Sequence, residues 1–359
     1  MKIGIFGLPM TGKTTIFSLL TNTVYDGVFK TESTEKTANV IDPRITKFSK
    51  MYNPKKTTYA TLDFVDIPSF DFTADKKEKS RILQMIQTVD ALLLIVRSFE
   101  NSDIPFPLGA ETPVEQLETL RTELIIRDLE VVESRLERID LQKKKKKPTA
   151  DEIKEEEILK NIKTELENGN FASKLGYSEE DLKLISSLSL FTLKPSIVVI
   201  NTDEEQFKSD NYPQKENIIK EAETQNFAYI EINGKIESDL TELSEEEKLM
   251  FMEELGIEHT GIERLSKIVY DHVGLIAFFT VGTDEVRAWT INKNTTMKRA
   301  AGKIHSALEK SFVKAEMMKS KDLIELGSEE EVKKAGLWKL AGKDEIVEDG
   351  DVLNIRANA

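Results

Sequence analysis

The sequence contains no cysteine, which excludes disulfides, cysteine-held zinc and thiol chemistry. Histidine is almost as scarce. His259, His272 and His305 are the only three, all far along the chain, and each is expected to be a surface or core residue without a chemical role. No uncharged apolar run approaches the ~18 residues that a membrane-spanning helix needs, so no such span is expected. The opening Met1-Lys2-Ile3-Gly4-Ile5-Phe6 runs straight into a glycine turn and lacks signal-peptide architecture, so a cytoplasmic location is the expectation. Positive charge is also short: 50 Lys and Arg against 64 Asp and Glu, net −14, which argues against a generic nucleic-acid coat. The shortage is uneven. Residues 276–359 hold 14 Lys and Arg and 14 Asp and Glu, so this tail is neutral and a domain boundary is expected near residue 275.

What is present suits a folded chain of two or three domains: 359 residues, 39% apolar and 32% charged. Residues 2–6, Thr58–Asp66, Ala91–Val96, Ser196–Ile200 and Phe227–Ile232 read as short strands alternating with helical stretches. Continuous apolar strands of this kind belong to a parallel sheet covered on both faces, hence an α/β fold. Between residues 97 and 195 the pattern changes. From Val114 the apolar positions Leu117, Leu120, Leu124, Ile125, Leu129, Val132, Leu136 and Ile139 recur at helical spacing. Lys143–Lys147 and Pro148 break it, and a second amphipathic stretch starts at Asp151 with Ile153, Ile158, Ile162 and Leu166 on one face. The pair reads as an antiparallel helical hairpin with a basic tip, either an ordinary core-packing pair or an arm for a phosphate-rich partner. Towards the C-terminus, Leu275–Thr280 and Val286–Ile291 suggest paired strands. A helix from Thr296 through about Met318 and late strands complete a small α+β module.

Gly7-Leu8-Pro9-Met10-Thr11-Gly12-Lys13-Thr14 fits G-x-x-x-x-G-K-[ST] in full, after a strand and before a helix. A chance match arises in about one chain of this length in a hundred. The two glycines let successive amides converge on phosphate, Lys13 adds a point charge and Thr14 offers a hydroxyl to Mg²⁺. The helix start, through Thr15, adds a favourable dipole. Asp66 closes a strand, where a carboxylate can hold Mg²⁺ through water. Asn201-Thr202-Asp203-Glu204 follows another, where guanine-binding proteins read N-K-x-D; Glu204 is one methylene longer than the aspartate that reads guanine.

Phe64–Ile67, Arg97–Asn101, Lys194-Pro195, Glu285–Thr290 and Lys343–Val352 together resemble the YchF, or Obg-like ATPase, family, over the whole chain and as a divergent member. The resemblance implies a P-loop G-domain with a parallel-sheet core at 1–112 and 192–274. It also implies a helical coiled-coil insertion at 113–191 and a TGS-type β-grasp domain at 275–359. It further implies an ATPase that prefers ATP to GTP, uses Mg²⁺ and associates with ribosomes, with RNA contacts through the arm and tail and no membrane. Carried over by position, Gly7 to Thr15 form the phosphate site, Asn201, Glu204, Asn233 and Gly234 the base site, and Thr14 and Asp66 the metal site. Lys13 and the switch threonine, Thr31, with Thr34 and Thr37 as rivals, are the catalytic candidates. The chain also departs from the family. Ser69 after Pro68 replaces the glycine of the second switch, Asp-x-x-Gly, and Asp71–Lys79 replace its glycine-rich sequel. Met10 replaces the phosphate-loop asparagine, and Phe106 stands near the place where family members carry a loop histidine; Phe70, where classical GTPases carry glutamine, keeps the family's hydrophobic residue. A variant reading follows: nucleotide held as a regulatory ligand with little hydrolysis.

Overall fold

The structure of the protein, a computed structural model, describes residues 1–23, 32–71 and 74–358. The chain forms two compact units, Met1–Lys36 with Asp63–Ile262, and Thr37–Leu62 with Glu263–Ala359. The strands, in chain order, begin with β1 (Lys2–Gly7), β2 (Thr34–Asn39), β3 (Lys56–Thr58) and β4 (Thr61–Asp66). Next come β5 (Ala91–Arg97), β6 (Ser196–Asn201) and β7 (Ala228–Ile232). β8 (Leu275–Thr280), β9 (Glu285–Asn292), β10 (Phe312–Lys319), β11 (Trp338–Ala341) and β12 (Asp351–Ala357) follow.

The first sheet runs β2-β4-β1-β5-β6-β7, and the pairs β4/β1, β1/β5, β5/β6 and β6/β7 are all parallel. Every residue of β5 and of β6 is buried, which is why these segments are continuous apolar runs. Each fully buried Leu, Ile or Phe contributes about 1.5–3 kcal/mol relative to exposure. A parallel arrangement also delivers the last residue of each strand to one edge: Gly7, Asp66, Arg97, Asn201 and, after β7, Asn233. Ligand crevices of open α/β sheets lie at that edge.

The helical insertion is the pair Pro113–Lys143 and Ala150–Glu167. Both helices start at a capping box, Thr112 with Glu115 and Thr149 with Glu152. Leu117, Leu120, Leu124, Ile158, Leu159 and Ile162 join the same buried cluster as β5 and β6, so the pair is continuous with the sheet's core. Arg135 grips Glu155 across the pair through Nε and Nη2, at 2.7 and 2.8 Å.

The second unit holds the sheet β11-β10-β12-β8-β9-β3. β8 and β9 pair antiparallel as expected, and helix Met297–Ile304 packs Met297 and Ala300 into the core beneath them. Two sequence expectations are corrected. The helix from Thr296 does not continue to Met318: it stops at Ile304, a short helix Ser306–Lys310 follows, and Phe312–Lys319 is strand β10. His305, in extended backbone, ends the first helix and caps the second through Nδ1, which leaves Ala315 and Met317 free to face the core at strand period. The strand expected over Thr58–Asp66 starts only at Thr61, because Thr58 ends β3, which belongs to the second sheet and pairs parallel with β9. Arg44, in the helix Pro43–Tyr52, bonds Asp42 and Asp349 and stacks on Phe279.

Candidate nucleotide site

The loop between β1 and the helix Lys13–Thr21 has the backbone its glycines foretell. A Cβ on Gly7 would lie 2.6 Å from the Ile95 carbonyl oxygen, and Gly12 has φ +90° with no room beside Asn201 Nδ2. Met10 also adopts the left-handed region, φ +61°, so the loop curls at both places. The Thr11 hydroxyl donates to Leu8 O at 3.0 Å and closes the loop on itself. Lys13 is only 5% exposed. Its ammonium donates to Leu8 O at 3.0 Å and to Ser69 Oγ at 2.7 Å. Burial pulls its pKa down to about 8, and the Asp66 carboxylate opposes that fall.

Thr14 is half-buried in the first turn of that helix, and Asp66 is buried at the end of the adjacent strand. A hydroxyl and a carboxylate on neighbouring elements suit Mg²⁺, which takes few protein ligands and draws the rest from phosphate and water. Among the described residues no group of three or more His, Cys, Asp or Glu could hold a metal ion. Thr31 lies outside the described residues.

Asn201 ties the phosphate loop to the segment after β7. Its Nδ2 donates to Thr11 O at 3.2 Å and its Oδ1 accepts from Gly234 N at 3.1 Å. Asn233 caps the next helix, accepting from Lys235 N and Ile236 N, while its buried Nδ2 has no hydrogen-bond partner among the described residues. These residues line a cleft of ≈ 1230 Å³, together with Met10, Gly12, Thr15, Phe99, Ile104 and Glu204. The Glu204 carboxylate pairs with Lys208 at 2.7 Å, which holds its pKa below the usual range. Of the other predicted site residues, Gly7, Leu8, Pro9, Thr11, Lys13, Thr14 and Asp66 are not among the residues lining the cleft.

The sequence marks Arg97, the last residue of β5, only as part of a family motif and gives it no part in the site. Its guanidinium donates to the carbonyls of Phe99, Ile104 and Pro105, at 2.9, 3.0 and 3.0 Å. It lies between the rings of Phe99 and Phe106, at 4.3 and 4.1 Å. Phe106 is thus a stacking partner of Arg97, and Arg97 shapes the 99–104 wall of the cleft. Gln116, in the helix Pro113–Lys143, pairs with the Arg97 backbone on both its N–H and C=O, at 2.7 and 3.1 Å. A buried Arg at a strand end among aromatics was the available signal.

The second switch segment runs beside the phosphate loop. Ile67 N donates to Ile5 O at 3.2 Å and Phe70 N to Gly7 O at 3.1 Å. The Phe70 ring is fully buried, edge-on to Phe6 at 5.7 Å.

The crossover order of the sheet, a phosphate loop at its edge and a cleft beside it bridged by Asn201 define a P-loop nucleotide-binding protein of the G-domain kind. The chain belongs to the YchF family. It is 35% identical to the ribosome-binding ATPase YchF of Haemophilus influenzae over 99% of both chains. Against the protein of that name from Bacillus subtilis it is 37% identical, over 100% of this chain and 99% of the other. The structure of the Schizosaccharomyces pombe YchF GTPase matches with a TM-score of 0.85 at 28% identity, covering 99% of this chain and 97% of that one. A GTP-binding protein of Pyrococcus horikoshii shares the fold, with a TM-score of 0.60 at 18% identity and full coverage of both chains. A family model described as a 50S ribosome-binding GTPase matches residues 2–132, and the YchF GTPase C-terminal model, itself described as a protein of unknown function, matches 275–358.

Proposed function

We propose that the protein is a Mg²⁺-dependent, cytoplasmic ATPase that acts on the ribosome and binds ATP in preference to GTP. The observation that carries the nucleotide reading is Asn201, which bonds the phosphate loop with one end of its amide and Gly234 with the other. Relatives of matching length, named ribosome-binding ATPases, support the partner and the reaction. Glu204 supports the base choice, since its carboxylate is one methylene farther out than a guanine-reading aspartate and is engaged by Lys208. The terminal module is proposed to be TGS-like and to meet RNA together with the helical pair.

Catalysis here is positioning and charge stabilisation, with no covalent intermediate. Loop amides and the dipole of helix Lys13–Thr21 hold the phosphates, and Lys13 places its charge against the outer ones. Thr14 and Asp66 would hold Mg²⁺, which when bound neutralises negative charge on the phosphates. Phe70 contributes no polar group: its ring is in the core and its amide is spent on Gly7 O. Losing one preorganised donor costs about 10²–10³-fold in rate. Slow hydrolysis by the isolated protein follows, with the ribosome supplying the rest. Single-turnover ATP hydrolysis tests this. The expectation is slow turnover alone, faster with ribosomes and none in Lys13→Ala. No turnover under either condition would favour the regulatory nucleotide-holding reading and overturn the ATPase.

A further inference from the structure

Ser69 stands where the family resemblance implies a glycine, and the geometry gives that serine work to do. Its segment is pinned on both sides to the strand that leads into the phosphate loop, by Ile67 N on Ile5 O and Phe70 N on Gly7 O. Phe70 is committed to the core and Pro68 has no amide hydrogen. Between them the half-buried Ser69 reaches the Lys13 ammonium, its Oγ accepting at 2.7 Å, while Lys13 also stays bonded to Leu8 O at 3.0 Å. A hydroxyl that accepts from an ammonium keeps its own O–H to donate. Ser69 and Lys13 therefore present two donors side by side, and phosphate oxygens accept only. The lysine of such a loop serves the β- and γ-phosphates, and the Ser69 hydroxyl lies within hydrogen-bond distance of that lysine's ammonium.

We propose that the Ser69 hydroxyl is a direct ligand of the terminal phosphate, replacing the backbone amide a glycine would supply, and so sets discrimination between nucleoside triphosphate and diphosphate. The proposal rests on the nucleotide reading above. A diphosphate lacks the group that Ser69 would bind, so Ser69 keeps its bond to Lys13 and contributes nothing to affinity. A triphosphate gains a hydrogen bond from a neutral donor to a charged oxygen.

Calorimetric titration of the full chain with Mg²⁺-ATP and with Mg²⁺-ADP, in the wild type and in Ser69→Ala, tests this. The variant is expected to lose about tenfold or more in ATP affinity, the usual size for a hydrogen bond to a charged group, and to hold ADP within twofold. ADP binding doubles as the check that the variant is folded. Equal changes for both nucleotides, no change for either, or tighter ATP binding in Ser69→Ala would overturn the role given to the hydroxyl. Wild-type protein that binds neither nucleotide would overturn the nucleotide reading and this proposal with it.

Discussion

Lys13 carries its charge where water cannot reach it, and two opposite pH trends follow. Burial lowers its pKa from 10.5 to about 8, so the unfolded chain binds more protons than the folded one between those values. Through this group, stability of the nucleotide-free protein rises with pH from about 8 to about 10.5. Nucleotide affinity moves the other way, because phosphate favours the ammonium form and that form becomes rare above pH 8. Each further unit should weaken ATP binding by up to about tenfold, with proton uptake seen in calorimetry as a binding heat that varies with the buffer's ionisation enthalpy. Lys13→Arg should flatten the profile; a wild-type affinity constant from pH 7 to 9.5 would contradict it. The phosphate residues were legible because a loop motif states its own backbone: Gly7 and Gly12 stand where a Cβ has no room. Arg97 was not, since its partners are carbonyls and rings that only the folded loop assembles.

The long helix Pro113–Lys143 shows how an element is fastened as well as formed. Its apolar spacing made it readable, and the break at the lysines marked its end. Its anchor was hidden. Asp128 is buried, and its carboxylate accepts from Phe191 N, Thr192 N and Thr192 Oγ at 3.0, 2.7 and 2.7 Å, just ahead of β6. Burial pushes its pKa up to about 6, against the pull of those hydrogen bonds. A folded-state pKa above the unfolded 3.8 means that this group's contribution to stability declines as pH rises from about 4 to about 6. Asp128→Asn should remove that slope from denaturation curves. It should also cost about 1–3 kcal/mol at pH 7, because an amide cannot accept from all three donors. An unaltered slope would show that Asp128 does not titrate there. β10 was misread for the opposite reason: helical residues and strand residues mix over 296–318, and only the cap at His305 separates them.

Across the whole molecule, acidity dominates, and the basic tip of the helical pair is less bare than its sequence. Lys143 pairs with Glu156 and Lys146 with Glu152. Among the described residues Lys144, Lys145 and Lys147 are exposed and form no ion pair. If the tip meets ribosomal phosphate, replacing these three by glutamine should reduce co-sedimentation with ribosomes and flatten its salt dependence. Replacing Lys143 and Lys146 instead should matter less. Indifference to all five substitutions would remove the tip from the interface. Residues 37–62 gave no sign in sequence of folding with the C-terminal unit, because β3 is three residues long and its partner β9 lies more than two hundred positions on.

The central claim is a working nucleotide site whose base end favours ATP. Calorimetric binding of ATP and GTP to the full chain with Mg²⁺ tests it most directly. The account predicts one site, ATP bound at least as tightly as GTP, binding lost in Lys13→Ala, and a shift toward GTP in Glu204→Asp. Binding of neither nucleotide, or GTP bound tenfold tighter than ATP, about 1.4 kcal/mol, would contradict it.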